Sequence, residues 1–157
     1  MTSRGFVSIG LVNPKTPANI GSVLRAAGCY GADFVAIAGV RGHKAVTHCA
    51  TDTQRAYRHI PTVLVDDVFT AHPVGSIPVA VDLVPNATSL IDFEHPESAF
   101  YIFGPEDGTL GGDNLRRCAR KVFVPTAQCM NLAATVNVIL YDRMAKAMRR
   151  QSVEVAA

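Results

Sequence analysis

Apolar residues occur in short, nearly continuous runs separated by polar segments, and six of these runs are typical of β-strands. Because the runs are continuous rather than alternating, we expect strands that are covered on both faces, as in a parallel sheet. The predicted strands are residues 6–12, 34–38, 62–65, 77–83, 99–103 and 121–124.

Helical periodicity appears between these runs. The first predicted helix begins at Pro17 after a potential N-cap, Thr16, and Gly31 fits its C-terminal cap. Its apolar stripe consists of Ile20, Val23, Leu24 and Ala27. A second stripe covers residues 132–144, with helical patches near 66–72 and 113–119, whereas residues 39–54 are predicted to form a long loop with one helical turn. Strands that alternate with helices predict an α/β domain with a mostly parallel sheet and helices on both faces.

Composition excludes several classes of protein. With 157 residues, 48% of them hydrophobic and 18% charged, the chain is neither disordered nor fibrous, and it can bury a core without disulfides or a structural metal. The four cysteines and five histidines lack metal-binding spacing, so we expect no metal. The sequence contains neither a signal-peptide core nor an apolar run of membrane-spanning length, which predicts a cytoplasmic protein without a membrane partner.

Charge is segregated along the chain. Residues 1–58 contain seven Lys or Arg and two acids, residues 59–115 contain nine acids and no Lys or Arg, and residues 116–157 contain eight Lys or Arg and two acids. If the two terminal segments meet in space, they form a basic face suited to nucleic-acid phosphates. A solvated polar surface with clustered charge is the alternative, and the sequence leaves both open.

Basic residues also crowd the end of the last predicted helix, namely Arg143, Lys146, Arg149 and Arg150. Cations at this position suit the helix dipole, and contact with nucleic acid explains them equally well. From Gln151 onward we expect the chain to fray.

Three segments carry the candidate chemistry. Residues 13–27 (NPKTPANIGSVLRAA) lead from a strand into a helix, where an exposed Arg25 suits an oxygen that gains negative charge. Residues 103–112 (FGPEDGTLGG) place Glu106 after a strand, where α/β sheets position their sites. Residues 122–134 (VFVPTAQCMNLAA) bring Asn131 to the start of the last helix. An ordinary exposed arginine, a simple turn and a helix N-cap are the respective structural alternatives.

In this order and at these separations, the three segments resemble the motifs of the SpoU branch of the SPOUT superfamily, the RNA 2′-O-ribose methyltransferases. The chain is similar to the minimal members of that branch, especially those that methylate tRNA in the anticodon loop. The resemblance implies one domain over residues 1–157 with no separate RNA-binding domain, and a deep trefoil knot over about residues 77–150. It also implies an S-adenosylmethionine pocket formed by the knot, and a homodimer.

The resemblance also implies roles for individual residues. Arg25 would activate the ribose 2′-hydroxyl, Asn19 would help to place it, Glu106 would orient Arg25 or the third segment, and Asn131 would complete the catalytic set. The implied cofactor residues are Val81, Leu83, Gly104, Pro105, Val124, Cys129, Met130 and Leu132. By charge alone, the candidate RNA contacts are Arg25, Arg41, Lys44, Arg55, Arg116, Arg117, Arg120 and Lys121.

Three alternatives to a tRNA methyltransferase stay open. Cys129 stands where the family usually has serine, and a thiol donates a weaker hydrogen bond than a hydroxyl, which favours a catalytically silent RNA-binding relative. Retention of Arg25 and Glu106 favours an enzyme, which could also act on rRNA. A different transferase or nucleotide-binding α/β enzyme would use Glu106 as an acid or base, but it does not explain the combination of Asn19, Arg25 and Asn131.

Overall fold

A single parallel sheet organises the chain. The structure, a computed structural model, describes residues 5–46 and 58–156. Its strands are β1 (Val7–Val12), β2 (Phe34–Ala38), β3 (Thr62–Val65), β4 (Ile77–Val81), β5 (Thr88–Ser89), β6 (Ala99–Phe103) and β7 (Arg120–Phe123). They form a seven-stranded sheet in the order β3-β2-β1-β6-β4-β7-β5, and every pair is parallel. The predicted parallel α/β architecture is therefore confirmed.

Helices cover both faces of the sheet. They are α1 (Pro17–Tyr30), α2 (Val40–Val46), α3 (Gly112–Arg117) and α4 (Leu132–Ala156), with a short 3₁₀ helix at Val68–Ala71. One face packs against α1 and α4 through a core that includes Ile9 and Tyr101, and α1 and α4 also contact each other. The opposite face, which includes Phe100 and Ile102, is covered by the 3₁₀ helix and by Leu115 of α3.

Helix α1 begins and ends where the sequence predicts. Thr16 has the extended backbone of an N-cap residue, Pro17 is the first helical residue, and Gly31 closes the helix at φ 64°, a left-handed conformation that favours glycine. The predicted stripe of Ile20, Val23, Leu24 and Ala27 is buried. This helix is therefore held against the sheet with its N-terminus at the carboxyl end of β1.

Several predicted boundaries were wrong. The strand predicted at 77–83 ends at Val81, because the chain bends at Asp82, whose carboxylate accepts the amide of Leu83. The two-residue strand β5 was not predicted, and residues 40–46 form a full helix rather than one turn. Residues 47–54 of the predicted loop lie outside the described residues. Helix α4 continues to Ala156 instead of fraying from Gln151.

A polar cluster lies under α4, where the sequence predicted only an apolar stripe. The Nδ1 atom of His95 is 2.6 Å from the Tyr101 hydroxyl, and its Nε2 atom is 2.8 Å from Oδ2 of Asp142 on α4. Lys146 lies 2.8 Å from the same carboxylate, and Arg143 donates to the Tyr101 hydroxyl. Burial raises the pKa of Tyr101 to about 12, so its hydroxyl stays protonated.

Two of the basic residues near the end of α4 bind backbone carbonyls, a role that neither sequence interpretation anticipated. Arg143 donates to the carbonyls of Pro96 and Glu97, and Lys146 donates to those of Leu90 and Phe93. The segment between β5 and β6 has little regular secondary structure, so these carbonyls need side-chain donors. Arg149 and Arg150, farther along α4, are exposed.

The buried histidine predicts a pH-dependent stability. Burial lowers the pKa of His95 to about 4, and the hydrogen bond with Asp142 offsets this only in part. Between about pH 6.5 and 4 the unfolded chain binds a proton at this residue while the folded ring stays neutral, so stability falls as pH falls, by at most about 1.4 kcal/mol per pH unit. We expect His95→Gln to have a shallower decline between pH 7 and 5 in urea unfolding. An unchanged slope would show that other groups cause the decline.

Candidate active site

A cavity of about 330 Å³ lies at the carboxyl ends of β4, β6 and β7. All eight residues implied as cofactor contacts line it. Val81 and Leu83 come from the end of β4, Gly104 and Pro105 follow β6, Val124 follows β7, and Cys129, Met130 and Leu132 lead into α4. The volume is within the range of about 300–1,000 Å³ that is typical of small-molecule sites. Open α/β sheets position their ligands at this edge.

The loop after β6 packs tightly on itself at one wall of the cavity. A Cβ atom on Gly104 would lie 2.9 Å from the backbone nitrogen of Leu110, so a larger residue would displace the loop. The same nitrogen donates to Oδ2 of Asp82 at 2.9 Å. The loop is therefore closed back onto the end of β4.

Glu106 joins this loop to the start of α1. Its Oε2 atom accepts the Lys15 amide at 2.7 Å, and its Oε1 atom accepts the Thr16 amide at 3.1 Å and the side-chain amide of Asn19 at 2.8 Å. Partial burial acts to raise the pKa of Glu106, but the hydrogen bonds from Asn19 and the backbone outweigh it, so the pKa lies below its usual value. The carboxylate is therefore ionised near neutral pH and serves as a fixed acceptor.

Asn131 extends the network from α1 to α4. Its side-chain amide donates to Oδ1 of Asn19 at 2.8 Å, while its own Oδ1 accepts the amides of Ala133 and Ala134 at the start of α4. The side chain of Asn131 thus caps α4, as the structural alternative predicted, and also contacts Asn19, another implied site residue. Glu106, Asn19 and Asn131 connect all three sequence segments.

A second contact between the first two segments lies nearby. The guanidinium of Arg41 on α2 bonds both carboxylate oxygens of Asp107, at 2.8 and 2.9 Å, and donates to the backbone oxygen of Asn13. The hydrogen bond from Arg41 holds the pKa of Asp107 at about 2. Arg41, predicted as an RNA contact, therefore also links α2 to the loop that contains Glu106.

Arg25 is exposed on α1, on the face shared with Ala18, Ser22 and Cys29 and away from the sheet. It is not among the residues that line the cavity, and neither are Asn19 and Asn131. The structure therefore connects three of the four implied catalytic residues by hydrogen bonds. The fourth, Arg25, lies six residues after Asn19 on α1.

The other predicted RNA contacts lie on several elements. Arg117 pairs with Asp67 and stacks on the Phe69 ring, Arg116 pairs with Asp113, and Arg120 donates to the Glu94 carbonyl. The remaining members are Lys121, half-buried on β7, Lys44, exposed on α2, and Arg55, which lies outside the described residues. Arg116, Arg117 and Arg120 thus make contacts within the protein.

Sequence reasoning missed some polar groups of the cavity. Thr126 and Gln128 line it from the loop after β7, and Thr135 lines it from the first turn of α4. Thr135 is four residues after Asn131, whose backbone carbonyl it binds at 2.9 Å, so helical spacing from Asn131 could have identified it. The lining of the cavity is therefore more polar than the sequence predicted.

The described residues contain neither a metal-binding cluster nor a membrane-spanning helix. No three His, Cys, Asp or Glu side chains within 5–46 and 58–156 cluster so that they could hold a metal ion. Over the same residues, no helix is both long and apolar enough to cross a lipid bilayer.

Solved structures share this fold. The methyltransferase AviRb from Streptomyces viridochromogenes, solved in complex with AdoMet, superimposes with a TM-score of 0.75 at 21% identity over 94% of this chain. This chain spans only 60% of AviRb. A structure described in connection with 2-OH methylation of C/U34 on tRNA gives a TM-score of 0.76 at 23% identity, with 93% of this chain and 99% of that chain covered.

Sequence comparison gives the family. The tRNA (cytidine-2'-O-)-methyltransferase TrmJ of Methanocaldococcus jannaschii is 25% identical over 166 aligned positions, which cover 96% of this chain and 72% of that protein. The sequence model of the SpoU rRNA Methylase family matches residues 7–141, a range that contains all three segments and the whole cavity. The chain therefore belongs to the SpoU rRNA Methylase family.

Proposed function

We propose that this protein is an S-adenosylmethionine-dependent RNA methyltransferase that methylates a ribose 2′-hydroxyl of tRNA, with the anticodon loop as the candidate target. The observation that carries the proposal is the hydrogen-bonded chain of Glu106, Asn19 and Asn131, which joins the three family segments at the edge of the cavity. The tRNA methyltransferase relative and the neighbour described with C/U34 methylation support tRNA as the substrate class.

The cavity fits S-adenosylmethionine. Val81, Val124 and Leu132 offer apolar walls for a purine ring, and Gly104 lines the cavity with backbone alone, which a ligand can approach closely. Among the described residues that line the cavity, the charged ones are Asp82 and Glu106, both acidic, which suits a ligand with positively charged groups. When bound, S-adenosylmethionine supplies a methyl group on a positively charged sulfur, already attached to a good leaving group.

The residues of the chain then have to hold the two reactants in line and stabilise the charge that develops. A guanidinium is a poor general base, so we do not assign proton removal to Arg25. We assign this residue to the developing negative charge on the 2′-oxygen, while the proton leaves to a phosphate oxygen of the RNA or to water. Asn19 and Asn131 help to position the ribose of the RNA, and the hydrogen bond from Asn19 to Glu106 holds the Asn19 side chain in place.

RNA contact is assigned to the basic residues Arg25, Arg41, Lys44, Arg55, Arg116, Arg117, Arg120 and Lys121. Arg41 supports this assignment, because its ion pair with Asp107 adjoins Glu106 of the cavity and is partly exposed. An RNA phosphate would compete with the Asp107 carboxylate for the guanidinium. The sequence-independent part of RNA affinity would come from such contacts.

Three further features belong to the proposal. Residues 1–157 form one methyltransferase domain, and its segment of about 77–150 forms a deep trefoil knot. The strand order supports the knot, because β7 is inserted between β4 and β5, which both precede it in the chain. The protein acts in the cytoplasm, and the exposed free thiols of Cys29 and Cys129 suit a reducing compartment.

The proposed enzyme is a homodimer that uses α4 as part of its interface. Tyr141, Met144 and Met148 recur at spacings of three and four residues and are 57%, 41% and 60% exposed. An exposed apolar stripe of this kind on a soluble domain is typical of a surface that a partner covers.

A charge in this stripe is expected to separate the protomers. Met144→Lys places an ammonium group in the interface, and we expect it to weaken dimerisation at least about tenfold, as measured by analytical ultracentrifugation. Val153→Lys is the control, because Val153 lies nine residues farther along α4 and on its opposite side. Equal effects of the two variants would exclude this face as the interface.

The decisive experiment for the proposed activity uses labelled S-adenosylmethionine and total tRNA from a strain that lacks the gene. Nuclease digestion and mass spectrometry of the nucleosides should reveal a new 2′-O-methylated nucleoside and identify its position. Cofactor binding without incorporation would contradict tRNA and direct the search to rRNA. A protein that binds no cofactor would be the catalytically silent relative. The position of Cys129 in the cavity wall favours that alternative.

A further inference from the structure

The end of β4 contains a carboxylate that none of the three family segments includes. Asp82 directly follows β4, and its side chain accepts two backbone amides, that of Leu83 at 2.8 Å and that of Leu110 at 2.9 Å. Its own amide donates to the Val122 carbonyl on β7 at 3.1 Å. One residue thus contacts the end of β4, the neighbouring strand β7 and the loop after β6, which together form three walls of the cavity.

The bond to Leu110 closes the loop that includes Gly104 and Glu106. Leu110 is 2% exposed, so its amide has no access to solvent in place of the carboxylate. The same amide packs against Gly104, where an added Cβ would lie 2.9 Å away. At its other end the loop is held by Glu106, which binds the amides of Lys15 and Thr16. The Arg41–Asp107 pair holds the same part of the loop, so Asp82 is the anchor of its C-terminal end at Leu110.

We propose that Asp82 is a positioning residue of the cofactor cavity, which holds the loop of residues 104–110 in the conformation that binds S-adenosylmethionine. This inference rests on the proposed function. The Asp82 carboxylate acts by accepting hydrogen bonds from the Leu83 and Leu110 amides, and these bonds matter more for cofactor binding than its negative charge. The role is consistent with its place at the junction of three walls, where a small loop movement would change the shape of the cavity.

The test compares Asp82→Ala, which removes both hydrogen bonds, with Asp82→Asn, which keeps one acceptor oxygen at almost the same size. Isothermal titration calorimetry with S-adenosylmethionine and with its product S-adenosylhomocysteine measures affinity, and methyl transfer to tRNA measures KM and kcat. We expect Asp82→Ala to raise both dissociation constants at least about tenfold and to raise KM for the cofactor similarly, with kcat at saturating cofactor changed little. Asp82→Asn can direct its one acceptor oxygen at the Leu110 amide but turns its amide group toward that of Leu83, so it should recover part of the affinity.

Three outcomes would overturn the inference. Wild-type affinity in Asp82→Ala would show that the bridge does not shape the cavity. Equal losses in the Asn and Ala variants, with a larger loss for the positively charged cofactor than for its neutral product, would assign the role to charge. A fall in kcat alone would assign Asp82 to the chemical step.

The control variant is Asp92→Ala, which removes an exposed carboxylate ten residues farther along the chain. Thermal unfolding verifies that each variant is folded. Failure of the wild-type protein to bind either ligand would contradict the proposed function itself.

Discussion

Replacing Arg25 with alanine is expected to lower the rate of methyl transfer about 10²–10⁴-fold, the range observed when a group that stabilises transition-state charge or assists proton transfer is removed. The side chain is exposed on α1 and is not part of the cavity lining, so the affinity for S-adenosylmethionine should change little. Single-turnover assays at saturating RNA, together with calorimetry of cofactor binding, separate these two quantities.

The matched control for Arg25 is Arg149→Ala, which removes an exposed arginine near the end of α4. Both variants lose one positive charge, so a general weakening of RNA attraction would affect them alike. If Arg25→Ala retains wild-type turnover, or if the two variants lose turnover equally, Arg25 has no specific role in the reaction.

Replacing Glu106 with alanine is expected to impair both cofactor binding and turnover, with a combined loss in kcat/KM of about 10²–10³-fold. Three donors converge on this carboxylate, from Lys15, Thr16 and Asn19, and its removal leaves all of them without their acceptor. We also expect the free energy of unfolding to fall by about 1–3 kcal/mol, measured by urea denaturation.

Glu106→Gln and Asp113→Ala define the cause of this loss. The glutamine keeps the oxygen that faces Thr16 and Asn19 but directs an amide group at the Lys15 amide, so an intermediate loss is expected. Asp113 is an exposed carboxylate on α3, directly after this segment, and its ion pair contributes little to stability. A glutamine variant as active as the wild type would show that the carboxylate charge and its third hydrogen bond are dispensable.

The sequence predicted best those elements whose buried positions form a continuous run or a helical stripe. The central strands β1, β2 and β6 are buried along their length and helix α1 buries one stripe, so their apolar runs and caps define them almost to the residue. Strand β5 has only two residues, one of them exposed, and it exists because β7 offers a free edge at the right register. Such an element depends on tertiary pairing and leaves no local pattern.

The candidate site shows the same division. The family segments identified Asn19, Glu106 and Asn131, and the structure joins them by hydrogen bonds. Their partners were less accessible to sequence reasoning. The amides that Glu106 binds are backbone groups about 90 residues away in the chain, and any residue type could supply them. The contacts of Arg143 and Lys146 with backbone carbonyls were hidden for the same reason.

The contacts of Arg143 and Lys146 with backbone carbonyls limit the order in which the chain can fold during translation. Leu90, Phe93, Pro96 and Glu97 leave the ribosome about 50 residues before the side chains that satisfy their carbonyls, which belong to Arg143 and Lys146. Strands β1 to β3 and helix α1 involve only residues up to Val65, so they can pair with one another while the remainder is still being translated. The half that contains the cavity reaches its final form only when α4 has been made at least as far as Lys146.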